Sequence, residues 1–351
     1  MPEGDLTPTQ KPTINDLARV AGVSLATVDR VLNGRPGVRR VTIDKVNRAI
    51  AELGYVRDTA AANLARRRVY RLLFILPAAE NEFVDALAAQ VNIQGAQFSH
   101  HRTTLAARHV PPFDPQAIVD MLDELSATET DGVAVFGPET PAVRDAVKRA
   151  RARGIVVVSL VADLPSSDRD HFVGIDNYAA GRTAARLMGN FIDAPGPVLV
   201  LTGSRLARDH LERRAGFDAV MREDFPTLDV LPSVEGRDDP ELIEAILPDI
   251  IRSVPDLRGI YSSAAGNAGL VRFLQTHDLP DALVVIAHEL TPVSRNALQS
   301  GLFDAVISQN AGHLVRSAVR LMKATADRAP FDETQERIRI DIYLQDNMPP
   351  E

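Results

Sequence analysis

Short apolar runs recur from residue 71 onward, and a stretch of helical periodicity follows almost every one of them. "RLLFILP" (Arg71 to Pro77) leads into a helical stretch from Asn81, and "DGVAVFGPE" leads into "PAVRDAVKRARARG". "PGPVLVLTG" precedes "LERRAGFDAVM", "LRGIYSSA" precedes "GLVRFLQTH", "ALVVIAHE" precedes "SRNALQSG", and "FDAVISQ" precedes a further helix; "IVVVSLVADLP" lies between two such units. Strands that are apolar throughout are strands buried on both faces, so the alternation predicts parallel sheets with helices on either side. The units are too many for one sheet. Two parallel-sheet subdomains separated by a cleft are expected, with ligands bound at the carboxyl ends of the strands.

The first seventy residues read differently. They hold 12 Lys+Arg against 7 Asp+Glu, whereas the remainder holds 27 against 40, within a net charge of -8. A basic head on an acidic body is the balance of a small nucleic-acid module joined to a larger sensing or catalytic body. Within "TINDLARVAGVSLATVDRVLNGRPGVRRVT", Thr13 caps a first helix with Ile14, Leu17, Ala18 and Ala21 on one face, and Gly22 ends it. Ser24 caps a second helix, whose buried stripe is Val28, Val31 and Leu32. The short connection gives helix-turn-helix spacing. A third helix is expected from Thr42, with Ile43, Val46, Ile50 and Leu53 inward and Gly54 as its stop. On the free face of the second helix, Leu25 and Ala26 would offer apolar contacts to base edges, and Arg30 would reach a guanine edge or a phosphate. Asp29 either accepts from a cytosine amino group, holds Arg30, or forms a helix-surface ion pair.

Several functions are disfavoured by what the chain lacks. Without cysteine there is no thiol catalysis and no Cys-based zinc site. No G-x-G-x-x-G follows the first strand, and no G-x-x-x-x-G-K-[ST], H-E-x-x-H or G-x-S-x-G occurs. The His100–His101 pair reads as a solvated helix end. No enzyme, catalytic residue, metal or cofactor is expected. No apolar stretch approaches the roughly 20 residues of a membrane span, and the start of the chain lacks a signal-peptide core, so a cytoplasmic location without membrane partners is expected.

"TINDLARVAGVSLATVDRVLNG" followed by "AIAELGYVRDTAAANLARRR" resembles the DNA-binding head and hinge of the lactose-repressor (LacI) family of bacterial transcription regulators. "FVGIDNYAAGRTAARLM", "ERRAGFDAV" and "IRIDIYLQDNMPP" extend the likeness to that family's periplasmic-binding-protein-like core. The resemblance implies a DNA interface of Thr13, Ser24, Leu25, Ala26, Thr27, Asp29, Arg30, Asn33, Asn63 and Leu64, with Leu64 wedged into the minor groove from a hinge helix at Asp58 to Arg66. Asp29 and Arg57 depart from the family pattern. The implied fold is α/β: a small all-α helix-turn-helix head plus two Rossmann-like parallel-sheet subdomains of the type I periplasmic-binding-protein kind. The expected organisation is a disordered tail over 1–12, the head over 13–57, hinge helix or linker over 58–69, and the ligand-binding core over 70–347. Within the core the N-subdomain is about 70–170 plus 309–330 and the C-subdomain about 171–308 plus 331–347, with crossings near His171, Gln309 and Phe331.

Pocket positions transfer unevenly. The resemblance maps Arg213, Glu289 and Gln309 onto family ligand contacts, and Phe83 onto an aromatic that stacks on a sugar face, with core packing as its alternative. Asn81 either bonds hydroxyls or caps its helix. The family's Asn-Asp pair is missing; Ser263 and Asn267 occupy that region, and Asp163 follows where Val161 replaces a common aspartate. The implied function is a ligand-responsive regulator, a repressor of carbohydrate genes, that binds pseudopalindromic operator DNA as a homodimer. Its effector would be a neutral sugar or cyclic polyol, with a sugar phosphate or purine as the alternative. A sugar carrier without a DNA role is the rival class. No apolar heptads follow the last expected strand, so dimers rather than coiled-coil tetramers are expected.

Overall fold

The computed structural model describes residues 12–32, 36–55, 68–78, 81–100, 102–277, 279 and 282–350. Asn33, Asn63, Leu64, His101, nearly all of the expected tail and most of the expected hinge lie outside them. The chain divides into two compact units, Met1–Arg68 and Val69–Glu351.

The first unit is helical. α1 (Ile14–Ala21) begins with a reciprocal capping box: the Asp16 amide donates to the Thr13 hydroxyl and the Thr13 amide donates to the Asp16 carboxylate. It ends at Gly22, whose φ of 65° is the left-handed conformation that glycine adopts without steric cost. α2 (Leu25–Leu32) starts with the Thr27 amide donating to the Ser24 hydroxyl. α3 (Arg40–Leu53) begins two residues before the expected Thr42. Arginine is a better helix former than threonine, so the first turn closes through the Arg39 carbonyl without a side-chain cap. Leu17, Ala21, Val28, Val46 and Ala49 form the small core; Val31, Leu32, Ile50 and Leu53 pack at its edge.

The second unit contains two sheets. In the first, β1 (Tyr70–Pro77), β2 (Thr103–Val110), β3 (Gly132–Val135), β4 (Val156–Leu160) and β5 (His171–Val173) run parallel in the order β2-β1-β3-β4-β5. The second follows the order β12-β11-β10-β9-β6-β7 and contains β6 (Gly196–Thr202), β7 (Leu228–Val230), β9 (Gly259–Ser262), β10 (Val284–His288), β11 (Ala305–Ser308) and β12 (Asp341–Tyr343). β8 (Val234–Glu235) pairs with β6. β12 is antiparallel to β11, so the expectation of parallel pairing fails at this edge. That strand arrives by a return crossing rather than through a strand-helix unit.

The period-2 geometry of β1 explains why its sequence is apolar throughout. Leu72, Phe74 and Leu76 join one core cluster, and Leu73 and Ile75 join another on the opposite face. The first face is covered by α4 (Glu82–Ser99) and α12 (Ala311–Asp327), the second by α5 (Pro115–Glu124) and α6 (Pro141–Ala152). The second sheet is covered likewise. α7 (Asn177–Phe191) and α8 (Arg208–Asp224) lie on one side; α9 (Pro240–Ser253), α10 (Asn267–Thr276) and α11 (Pro292–Gln299) lie on the other.

Three crossings join the lobes. The chain leaves the first sheet after Val173 and returns between Ser308 and Ala311. The third crossing lies at 337–340, against an expected position near Phe331. α13 (Glu333–Glu336) still belongs with α12, because the Arg320 guanidinium donates to both Glu336 carboxylate oxygens at 2.7 Å.

Candidate functional site

In the helical unit, the face of α2 opposite Val28 is open. Leu25 is 47% exposed, and Ala26 and Arg30 are also exposed. An exposed leucine in the first turn of a second helix and an exposed arginine in its last turn give that helix an apolar and a cationic group of the kinds that meet base edges and phosphates. Thr13 and Ser24 serve as caps, Thr27 is half-buried with its hydroxyl 2.9 Å from that of Ser24, and Asp29 is half-buried.

In the larger unit, polar residues converge where the strands of both sheets end. Arg213 of α8 is 3% exposed. Its Nε donates to Asn177 Oδ1 at 2.9 Å and its Nη1 to the Ser263 carbonyl at 2.8 Å, and its Nη2 lies 3.8 Å from Glu289 Oε1. Gln309 Nε2 donates to the same Glu289 oxygen at 2.9 Å, and its amide donates to the other oxygen at 3.3 Å. Burial pushes the Glu289 carboxyl above the ordinary range, with Arg213 pulling it back. Glu289 takes a φ of 66° directly after β10, and Val161 takes 64° directly after β4. A β-branched residue in that region is an outlier, and outliers of this kind gather at ligand clamps.

Two adjoining cavities open here. The larger, of 330 Å³, is bordered by Asn81, Phe83, Gly266, Asn267, His288 and Glu289. The smaller, of 50 Å³, lies between Pro77, Asn81, Pro111, Phe113 and Phe136 of one lobe and Asp209, His210 and Asp238 of the other. Arg208 Nη1 bridges the lobes to Glu139 Oε2 at 3.3 Å.

The expected residues therefore divide into groups. Arg213, Glu289 and Gln309 form one bonded set, and Asn81, Phe83 and Asn267 border the larger cavity. Asn81 caps α4, its Oδ1 accepting from the Phe83 and Val84 amides. Phe83 also belongs to the core. Asn267 accepts from the Ser262 hydroxyl and donates to the His288 carbonyl. Of the bonded set only Glu289 borders a cavity, with Arg213 and Gln309 behind it, and two further residues are not brought to the cavities. Asp163 is bound by Arg169 at 2.5 and 2.7 Å and by the Ser159 hydroxyl, while the fully buried Ser263 donates its hydroxyl to the Leu201 carbonyl.

Asn177, Asp209, His210, Asp238 and His288 escaped the sequence reading. Two of them, Asp209 and His210, had a signal. Asp209, His210, Arg213, Gly216 and Phe217 share the buried face of α8, where charged residues at helical spacing among apolar ones mark a polar site in a core. His288 is fully buried and bonded through Nε2 to the Tyr261 hydroxyl at 2.8 Å, and its Nδ1 has no partner. Burial and the nearby Arg213 charge hold the His288 pKa well below the ordinary value, so it borders the cavity as a neutral imidazole. Among the described residues no three His, Asp or Glu side chains are grouped to hold a metal ion, and no helix is long and apolar enough to cross a membrane.

Comparison with known proteins adds two family matches. The model for the periplasmic binding protein domain matches residues 72–329, and that for bacterial regulatory proteins of the lacI family matches residues 13–58. Catabolite control protein A of Streptococcus mutans is 30% identical over a stretch covering 52% of this chain and 52% of that protein, about half of each. The Staphylococcus aureus protein of the same name is 25% identical over 81% of this chain and 82% of its own. Among solved structures, a solute binding protein from Burkholderia graminis in complex with D-arabinose superposes with a TM-score of 0.71 at 22% identity, covering 79% of this chain and 96% of its own. GanP, a glucose-galactose binding protein from Geobacillus stearothermophilus, gives 0.72 at 18% identity over 81% and 100%. At those identities the structural likeness speaks to fold alone.

Proposed function

Since the chain belongs to the lacI family of bacterial regulatory proteins and carries a periplasmic binding protein domain behind its helical head, we propose that it is a sugar-responsive DNA-binding transcription regulator and not an enzyme. The observation that carries this reading is the presence in one chain of an open α2 face bearing Leu25 and Arg30 and a two-lobed core with a polar cleft. α2 lies in the major groove of operator DNA, where Leu25 and Ala26 meet base edges and Arg30 a guanine or a phosphate. The protein acts in the cytoplasm as a homodimer on a pseudopalindromic operator, as a repressor of carbohydrate genes.

Arg213, Glu289, Gln309, Asn267 and the unpartnered nitrogen of His288 supply the paired donors and acceptors that vicinal hydroxyls need. Buried polar groups of this kind penalise any ligand that leaves them unpaired. A phosphorylated effector is disfavoured, because the cavities are bordered by Glu82, Asp85, Asp209, Asp238, Glu241 and Glu289 against Arg272 alone among Lys and Arg. Closure on the ligand would bias the DNA-bound arrangement by about 1–3 kcal/mol, the usual size of such couplings.

The rival reading, a sugar carrier, makes a different prediction for the core alone. A fragment starting at Val69, where the second compact unit begins, should keep its ligand-induced thermal shift and lose all sequence-specific DNA binding. Gel-shift and thermal-shift assays on the same fragment check both halves. Specific DNA binding that survives removal of the head would overturn the assignment of α2.

A further inference from the structure

The cleft holds two carboxylates, Asp209 buried and Asp238 half-buried, that hydroxyl groups alone do not neutralise. Carboxylates in first helical turns commonly answer the helix dipole, and the exposed Glu82, Asp85 and Glu241 need no further account. Asp209 also stands in a first turn, that of α8, but it is buried. It is 3% exposed, its Oδ2 lies 3.6 Å from His210 Nε2, and its Oδ1 has no hydrogen-bond partner. His210 does not supply the missing cation: its Nδ1 accepts from the Ser204 amide at 3.2 Å, so the ring hydrogen sits on Nε2 of a neutral imidazole.

Asp238 borders the same small cavity and accepts from the Ala265 amide at 3.2 Å. Its desolvation, and the Asp209 charge beside it, push its carboxyl above the ordinary range. Among the described residues no lysine or arginine forms a salt bridge with Asp209 or Asp238. The guanidinium that reaches this end of the cleft, Arg213, is already bound to Asn177, Ser263 and Glu289. An unpaired buried carboxylate costs several kcal/mol, and a ligand that brings the opposite charge removes that cost. A metal ion does not fit, because the necessary grouping of three ligands is absent among the described residues. The facing wall, with Pro77, Pro111, Phe113 and Phe136, suits the C–H face of a ring.

Resting on the regulator reading above, we propose that the effector is a sugar or cyclitol bearing a protonated amine, and that Asp209 and Asp238 receive its ammonium group. The ring lies against the proline-rich wall, and its hydroxyls meet the Arg213, Glu289 and Gln309 set.

The test uses the full chain and matched ligands. D-Glucosamine and 1-deoxynojirimycin, both protonated at mildly acidic pH, are compared with D-glucose and N-acetyl-D-glucosamine by calorimetric titration and thermal shift. The amine-bearing ligands are expected to bind at least about tenfold more tightly than the neutral ones, a difference of about 1.4 kcal/mol. Asp209→Asn should remove that preference. The comparison on the unaltered protein decides the matter even if the variant folds poorly. Equal or tighter binding of the neutral ligands, or no binding of any amine-bearing probe, overturns the inference. A neutral sugar that also changes DNA affinity would leave the regulator reading intact while removing this one.

Discussion

Replacing Arg213 with alanine is expected to destabilise the core by about 3–5 kcal/mol and to abolish its response to ligand, while the head keeps its intrinsic DNA binding. The guanidinium is 3% exposed and serves three partners on three elements: Asn177, the Ser263 carbonyl and Glu289. Removing it leaves a buried carboxylate with only Gln309 and Ser308 beside it, and breaking a buried pair from one side costs about that much. The deficit should depend on pH in a defined direction. Burial already raises the Glu289 pKa and Arg213 opposes that rise, so without the arginine the folded protein holds the carboxyl proton more strongly. A group whose folded pKa is raised contributes stability below its unfolded pKa and loses it as pH rises through the folded value. The variant's deficit is therefore smaller in acid than at neutral pH. Adding Glu289→Gln should recover much of the lost stability, and denaturant unfolding of the single and double variants checks the whole cycle. A loss below about 1 kcal/mol would contradict the account, since that is the scale of an exposed pair.

Gly216→Ala is expected to destabilise the core as well. A Cβ at Gly216 would stand 2.0 Å from the Tyr178 carbonyl oxygen, and one at Gly181 would stand 1.9 Å from the Arg213 carbonyl oxygen. Both obstacles are backbone, so no rotamer change relieves them, and α7 and α8 must separate. Overpacking of this kind costs about 1–3 kcal/mol or more, which outweighs the roughly 1 kcal/mol that alanine gains over glycine in a helix. Gly95 provides the control. Its added Cβ meets Leu105 at 3.6 Å, an ordinary contact, so Gly95→Ala should stabilise the protein by about 0.5–1 kcal/mol. Thermal unfolding of the two variants should move in opposite directions. Separation of the helices also pulls Arg213 from Asn177, so Gly216→Ala should weaken ligand binding, and a variant with full stability and full binding would sink the argument.

The parts of the fold that were legible in the sequence are those where physics writes a repeated pattern. β1, β4 and β10 are buried on both faces, and continuous apolar runs announce them. β2 was missed because it lies at a sheet edge, and its run "TTLAARHV" alternates small and polar residues with no apolar stretch. β5, β7 and β8 are two or three residues long, too short for periodicity to register. At the cleft, family resemblance brought Arg213, Glu289 and Gln309 together across α8 and the ends of two strands. Asp163 and Ser263 sit close in sequence to positions that face the cavities, but Arg169 holds the one and the Leu201 carbonyl the other. Asp238 was hidden for the opposite reason, and Asp209 and His210 showed only as a polar interruption of the α8 core face. A polar residue in a loop is ordinary in sequence, and only its desolvation in three dimensions sets Asp238 apart.

The central claim is that one chain couples a ligand in the cleft to DNA held by the head. It is tested most directly by selecting a binding site from random DNA with the full chain, then measuring affinity for that site with and without a sugar that raises the core's melting temperature. The account predicts an enriched two-fold-symmetric sequence whose affinity changes at least about fivefold on adding ligand, the lower end of ordinary allosteric coupling. A selected site whose affinity is the same with and without the bound sugar, or no enriched sequence at all, would contradict it.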